Sequence, residues 1–333
     1  ETTRHQSTLP FSGEWALKIS VIIPTLGEND LNGILTSIVA RSNECEVIVI
    51  NTGIDERPHI LDSLDRCGLP FQYKHTGCLS ANKARNLGAR MASGEILCFT
   101  DDDVELTRDY FIAVIETFEK YPSVSCAGGF VDLQFIHKPR WLEGPFLYML
   151  SMCDWHRTMD VYYPNLPIFL QKEEKYLVGA SMSIPKRFFP RVQWDENFGY
   201  TRDDGLFIIN DEMNIISDLR KLGDIAYCPY VKANHVIPER RATIQYLKRR
   251  FYRQATSDII KQTVNNPAMT AEQLYNTLVL HTASNLTYPN VINEARQKIA
   301  NEEITRQFVV NYIACKQAYL QGLTDEIAKI YNT

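Results

Sequence analysis

Residues Glu95–Asp103 read EILCFTDDD, a short apolar run that ends against three aspartates. Such a run is expected to form a buried strand, and residues at the carboxyl end of a strand face the edge where α/β sheets bind ligands. Three adjacent carboxylates repel one another and lose hydration when buried, so a positive group is expected among them. If strand geometry persists through the triplet, Asp101 and Asp103 project to one side and Asp102 to the other. A hard cation held by the first and third is then the expectation, and oxygen ligands favour magnesium or manganese. The plainer reading is a solvated acidic turn before the next helix. The position behind a buried strand favours a site.

Outward from this stretch, KISVIIP (Lys18–Pro24), CEVIVIN (Cys45–Asn51) and Phe71–Lys74 read as further strands. Helical stretches are predicted over about 29–41, 57–66, 80–92 and 108–121. This alternation implies right-handed βαβ units, hence an α/β fold with a mainly parallel sheet and helices on both faces. One edge of that sheet would gather Pro24, Thr25 and Glu28 after the first strand, Asn51, Thr52 and Gly53 after the second, and the aspartates after the third. Beyond Val131 the alternation gives way to an aromatic, proline-punctuated stretch, Pro139–Phe169, read as decoration on the substrate side rather than sheet. Regular structure is expected again from Tyr176–Ile184, a helix over 211–222, a strand Ile225–Tyr230, a basic helix over 242–262 and a helical tail to Thr333.

Composition narrows the class. A chain of 333 residues with 45% hydrophobic and 23% charged residues can bury a sizeable core, and a net charge of -5 does not suggest a nucleic-acid binder. The eight cysteines are scattered singly without zinc-site spacing, and they are read as reduced thiols of a cytoplasmic protein. No apolar run reaches the roughly 18 residues that would mark a membrane span. The chain begins at Glu1 rather than Met, which leaves a preceding segment open. Neither G-x-G-x-x-G after the first strand nor G-x-x-x-x-G-K-[ST] is present, so phosphates would be neutralised by a carboxylate-held metal and by arginines.

The ordered series SVIIPTLGEND (20–30), VIVINTG (47–53), GCLSANKARNLGARMASGEILCFTDDDVEL (77–106), YLVGASMSIPKRFF (176–189), WDENFG (194–199), NDEMNIISDLRKLG (210–223) and NHVIPERRATIQYLKRR (234–250) resembles the family 2 glycosyltransferases. The resemblance implies the GT-A nucleotide-diphospho-sugar fold and metal-dependent, inverting sugar transfer in glycan or polysaccharide synthesis. It implies that Pro24, Thr25 and Glu28 line the nucleoside pocket and that Arg85 approaches the base or phosphates. Asp101 and Asp103 would form the D-x-D metal motif, with Asp102 among the donor contacts. His235 would complete the metal site, and Arg240 and Arg241 would reach the diphosphate. The family's usual Glu-Asp pair stands here as Asp211-Glu212, in reversed order. Glu212 is the candidate base and Asp211 the other contender. Asn51 stands where an aspartate often recognises the base, which leaves the donor nucleotide open.

The expected organisation is a leader over 1–17, a GT-A domain over 18–255 and a helical region over 256–333. The domain divides into a nucleotide-binding half, 18–131, and an acceptor-binding half, 132–255. Expected partners are a nucleotide-diphospho-sugar donor and a carbohydrate or lipid-linked acceptor. A lipid-linked acceptor would suit peripheral contact of the basic helix 242–262 with the inner face of a membrane. Trp141, Trp155 and Tyr162 are candidates for stacking on sugar rings, against the commoner role of core aromatics. Two alternatives stand beside this reading. A sugar-phosphate nucleotidylyltransferase would want a glycine- and lysine-rich loop where PTLGEND stands, and an inactive binding module would keep the fold without the chemistry.

Overall fold

A computed structural model describes residues 17–39, 45–55, 57–77, 80–155, 168–170, 177–196, 211–280 and 302–331. The leader before residue 17, Cys78, Tyr162 and the segment 197–210 lie outside them.

Strand β1 (Ile19–Thr25) is buried at every position and pairs in parallel with β2 (Cys45–Asn51) and β4 (Ile96–Phe99). Strand β3 (Phe71–His75) lies outside β2, again parallel. Runs of Ile and Val are needed here because a parallel sheet is covered on both faces. Helices α1 (Asn32–Val39), α2 (Pro58–Cys67), α3 (Ala81–Met91) and α4 (Tyr110–Lys120) occupy the predicted connections. The first starts later than its apolar pattern because the Asp30 carboxylate accepts the Asn32 backbone N–H at 2.8 Å, a turn that precedes the helix.

The other half of the sheet departs from the expectation. Among the described residues the strand order is β3-β2-β1-β4-β8-β6-β9-β5, completed by β5 (Val104–Leu106), β6 (Val124–Phe135), β8 (Met182–Pro185) and β9 (Asp224–Ile237), with β7 (Ile168–Phe169) paired to β9. Parallel pairing continues in β6 with β9, whereas β4 with β8, β6 with β8, β5 with β9 and β7 with β9 are antiparallel. The sheet is therefore mixed, and Phe169 belongs to it rather than to surface decoration. Gly129 explains why β6 is hard to read as a strand: a Cβ there would come within 2.2 Å of the Cys228 and Val231 carbonyl oxygens. The close backbone approach at this bulge between β6 and β9 requires glycine, a residue that ordinarily signals a break.

A second hydrophobic cluster joins the segment around α5 (Pro145–Tyr148) to the long helices α7 (Ile244–Asn265) and α8 (Glu302–Tyr331); α6 (Asp211–Arg220) packs instead against the main sheet. Helix α7 runs unbroken through the boundary expected at 255. Leu247, Phe251, Ala255 and Ile259 recur every four residues and are buried together in this cluster. Gly322 lets α8 approach closely, since a Cβ would stand 2.5 Å from the Tyr252 carbonyl oxygen. Tyr319 and Tyr252 donate to Asp258 and Asp325 at 2.6 and 2.7 Å, tying the two helices together. Leu247 and Phe251 of this basic helix are thus covered by the protein itself. No described helix is long and apolar enough to cross a membrane.

Candidate active site

Strand β4 ends at Phe99, before the aspartates, so strand geometry does not carry through them. Each carboxylate instead meets its own set of partners. Asp102 turns back to the end of β1, where Thr25 Oγ1 and Asn29 Nδ2 donate to its two oxygens at 2.5 and 2.8 Å. Burial and the charge of Asp103 push the Asp102 carboxyl up to about 6 against those two hydrogen bonds.

Asp103 is placed by the sheet. The antiparallel register of β5 on β9 sets Val104 opposite His235, and Val236 N–H donates to the Asp103 carbonyl at 2.8 Å. Consequently Asp103 Oδ1 lies 3.3 Å from His235 Nε2, while Asp103 Oδ2 accepts Arg241 Nη1 at 2.7 Å. Burial alone would raise the Asp103 carboxyl, but its His235 hydrogen bond and the charges of His235 and Arg241 hold it down at about 2. His235 Nδ1 lies 3.1 Å from the Leu150 carbonyl oxygen, which can only accept, so the Nδ1 proton is fixed there. Nε2, the other ring nitrogen, then faces Asp103.

Arg85 is reached from the other side. Asn82, Arg85 and Asn86 share one face of α3 at the i, i+3, i+4 spacing. Both asparagines grip the segment 194–196: Asn82 Nδ2 donates to the Asp195 carbonyl and Asn86 Nδ2 to the Trp194 carbonyl, each at 2.8 Å. Between them the Arg85 guanidinium lies 4.6 Å from the centre of the Trp194 ring. Its Nη2 donates to Asp101 at 2.9 Å, and its Nη1 donates to Asp211 at 3.0 Å and to Asn82 at 2.9 Å. Arg85 was expected to approach the base or phosphates, and it does line the cavity described below while paired with both acids. The buried cation joins the aspartate triplet to the acidic pair. Asp101 pairs with Arg85 and Asp103 with Arg241.

Asp211 and Glu212 open α6, where the helix dipole favours negative charge. Asp211 is held by Arg85, whereas Glu212 Oε1 accepts the Gly179 N–H at 3.0 Å. Burial, then the charge of Asp211, push the Glu212 carboxyl up to about 8. A carboxyl so displaced, at the wall of a cleft, is suited to proton transfer near neutral pH.

These elements surround a cavity of about 410 Å³. Pro24, Thr25, Glu28, Arg85, all three aspartates, Asp211, Glu212, His235, Arg240 and Arg241 all line it, so the structure gathers most of the expected residues. Asn51 is the exception. It is fully buried, with Oδ1 accepting Gly53 N–H at 2.8 Å and Nδ2 donating to Tyr73 and the Asp55 carbonyl, so it braces the loop after β2. Thr52 takes its place on the cavity wall. Of the candidates for sugar stacking, Trp141 packs edge-on against Phe146 beside the second core and Trp155 against the main one, both partly buried.

Sequence reading did not single out Tyr246, Arg249 and Arg250 as cavity residues. They occupy the wall from one face of α7, opposite its buried stripe, and Arg250 Nε donates to the Met149 carbonyl at 3.1 Å. Their i, i+3, i+4 spacing was the available signal.

Residues 20–178 match the family model described as glycosyl transferase family 2. The chain carries a family 2 glycosyltransferase domain. The matched stretch of this glycosyltransferase ends before Asp211, Glu212, His235 and the arginines, which the fold alone brings to the same cavity. Among curated proteins none matches the chain. Among solved structures, the mannosyltransferase PcManGT from Pyrobaculum calidifontis, in complex with GDP-Man and Mn2+, is 15% identical with a TM-score of 0.55. The alignment covers 95% of this chain and 88% of that one. This likeness supports the GT-A fold. S. aureus TarS 1-349 is 14% identical with a TM-score of 0.47, covering 95% and 92%. GalNAc-T7 with UDP, GalNAc and Mn2+ is 15% identical with a TM-score of 0.49; 70% of this chain is covered, and it spans 47% of that chain.

Proposed function

We propose that the cavity transfers a glycosyl group from a nucleoside diphosphate sugar to a carbohydrate or lipid-linked hydroxyl, with inversion and with the help of a divalent cation. One observation carries this reading: carboxylates from the end of β4, an acidic pair from α6 and arginines from the end of β9 and from α7 face a single cavity. The mannosyltransferase whose fold the chain shares is a complex with GDP-Man and Mn2+.

The residues present fit the cation. Asp103 Oδ1 and His235 Nε2 lie 3.3 Å apart, and with Nδ1–H on the Leu150 carbonyl it is Nε2 that the neutral ring would offer to a metal. No group of three His, Cys, Asp or Glu gathers among the described residues. A pair of protein ligands completed by substrate phosphates is the arrangement common for Mg2+ and Mn2+. Such an ion, when bound, supplies charge stabilisation to the diphosphate as it leaves.

The chain's own groups carry the remaining steps. Glu212, deprotonated, takes the proton of the acceptor hydroxyl as that oxygen forms its bond to the anomeric carbon. The bond from that carbon to the diphosphate oxygen breaks on the opposite face, giving inversion, and Arg240 and Arg241 face the departing charge. Arg85 keeps Asp211 and Asp101 in place behind these groups.

A panel of UDP- and GDP-sugars with Mn2+ tests the reading. Release of nucleoside diphosphate, slow with water and faster with an acceptor, is the expected outcome. A product with the donor's anomeric configuration would reject the single displacement, and the absence of release with every donor would reject transfer.

A further inference from the structure

We propose that the Arg241 guanidinium and a divalent cation compete for the same two ligands, the Asp103 carboxylate and His235 Nε2, so that metal binds tightly only once a diphosphate has drawn the guanidinium away. This rests on the proposed function and adds an order of events to it.

The geometry is specific. Arg241 Nη1 lies 2.7 Å from Asp103 Oδ2 and 3.3 Å from His235 Nε2, so one nitrogen bridges the two atoms best placed to hold a metal. With Nδ1–H committed to the Leu150 carbonyl, Nε2 is the ring nitrogen that the neutral imidazole offers to a metal. The guanidinium therefore fills the place between the carboxylate and His235 Nε2 that a cation would take. A metal ion cannot take that place while Arg241 Nη1 stands within hydrogen-bond distance of both atoms, since the two cations would repel at contact.

Arg241 is also free to leave. It sits on the 3-10 turn Glu239–Arg241 that joins β9 to α7, and its side chain is 28% exposed. Arg85 offers the contrast: its side chain is 7% exposed and gripped by two carboxylates and an asparagine. A diphosphate entering the cavity gives Arg241 an alternative anion, since Arg240 and Arg249 line the same wall. The diphosphate frees Asp103 and His235, so nucleotide and metal strengthen one another through Arg241, and the coupling is reciprocal.

The test uses the full chain and follows the electron paramagnetic resonance signal of free Mn2+, alone and with saturating UDP or GDP. Wild type, Arg241→Gln and Asp103→Asn are compared. Mn2+ alone should bind Arg241→Gln at least about tenfold more tightly than wild type, the size expected when a charge-assisted hydrogen bond no longer competes. The tightening of Mn2+ binding caused by nucleotide should shrink in Arg241→Gln by the same factor. Equal or weaker Mn2+ binding by Arg241→Gln would overturn the competition. So would a wild-type chain whose Mn2+ affinity does not respond to nucleotide, a measurement that needs no variant. The two readings fail separately. Mn2+ binding lost in Asp103→Asn but unchanged in Arg241→Gln sinks only the competition, whereas binding indifferent to Asp103→Asn sinks the metal site itself.

Discussion

Replacing Glu212 with Gln should stabilise the protein at alkaline pH while removing its chemistry. The Glu212 carboxyl is pushed up to about 8 from an ordinary 4.5, first by burial and then by Asp211, so the folded state holds its proton where the unfolded chain has lost it. Between those two values the folded state binds more protons, and stability therefore falls as pH rises, levelling off above about 8. At about 1.4 kcal/mol per pH unit, a rise from pH 6 to pH 9 removes about 3 kcal/mol. Part of the side chain meets cavity water, and solvent screening brings this to about 2 kcal/mol. Glutamine, uncharged throughout, escapes the loss. Denaturant unfolding at pH 6 and pH 9 should show wild type losing about 2 kcal/mol more than Glu212→Gln across that interval. The variant should lose the 10²–10⁴-fold in turnover typical of a general base, roughly, and the wild-type rate should climb toward pH 8. Parallel pH dependence of stability in the two proteins would refute the assigned burial. Unchanged turnover would move the base to Asp211.

Other outcomes follow from the same geometry. Arg85→Met leaves Asp101 and Asp211 without their shared cation and should cost about 3–5 kcal/mol in denaturant unfolding. Arg85→Lys should recover little of it, since one ammonium does not reproduce the planar fork that spans both acids. Gly322→Ala forces a Cβ toward the Tyr252 carbonyl and should cost about 1–3 kcal/mol by parting α7 from α8, seen as earlier proteolysis of the C-terminal helix.

The first half of the fold was legible because β1 and β2 are Ile- and Val-rich runs bounded by polar turns. The second half was less so. β6 carries the paired glycines Gly128 and Gly129 at a bulge, and β9 continues seven residues past the expected Tyr230 through alternating buried and exposed positions. In the site, the strand-end acids were legible because carboxylates behind a buried strand need partners. The identity of those partners was not: Arg85 meets Asp211 across 126 residues of chain, and no local pattern encodes that contact. The same holds for Asn51, whose place at the strand end suggested a ligand contact and whose neighbours, Tyr73 and Gly53, make it a brace. Arg249 and Arg250 were hidden for a different reason, since a basic helix face is ordinarily solvated and only the packing of α7 turns this one toward the cavity.

The central claim is that Asp103 helps bind a nucleoside diphosphate through a divalent cation. It is tested most directly by calorimetric titration of UDP and GDP into wild type and Asp103→Asn, with and without Mn2+. At least one nucleotide should bind wild type more tightly with Mn2+, and that gain should vanish in Asp103→Asn. An equal gain in both proteins, or none in either, would contradict the account.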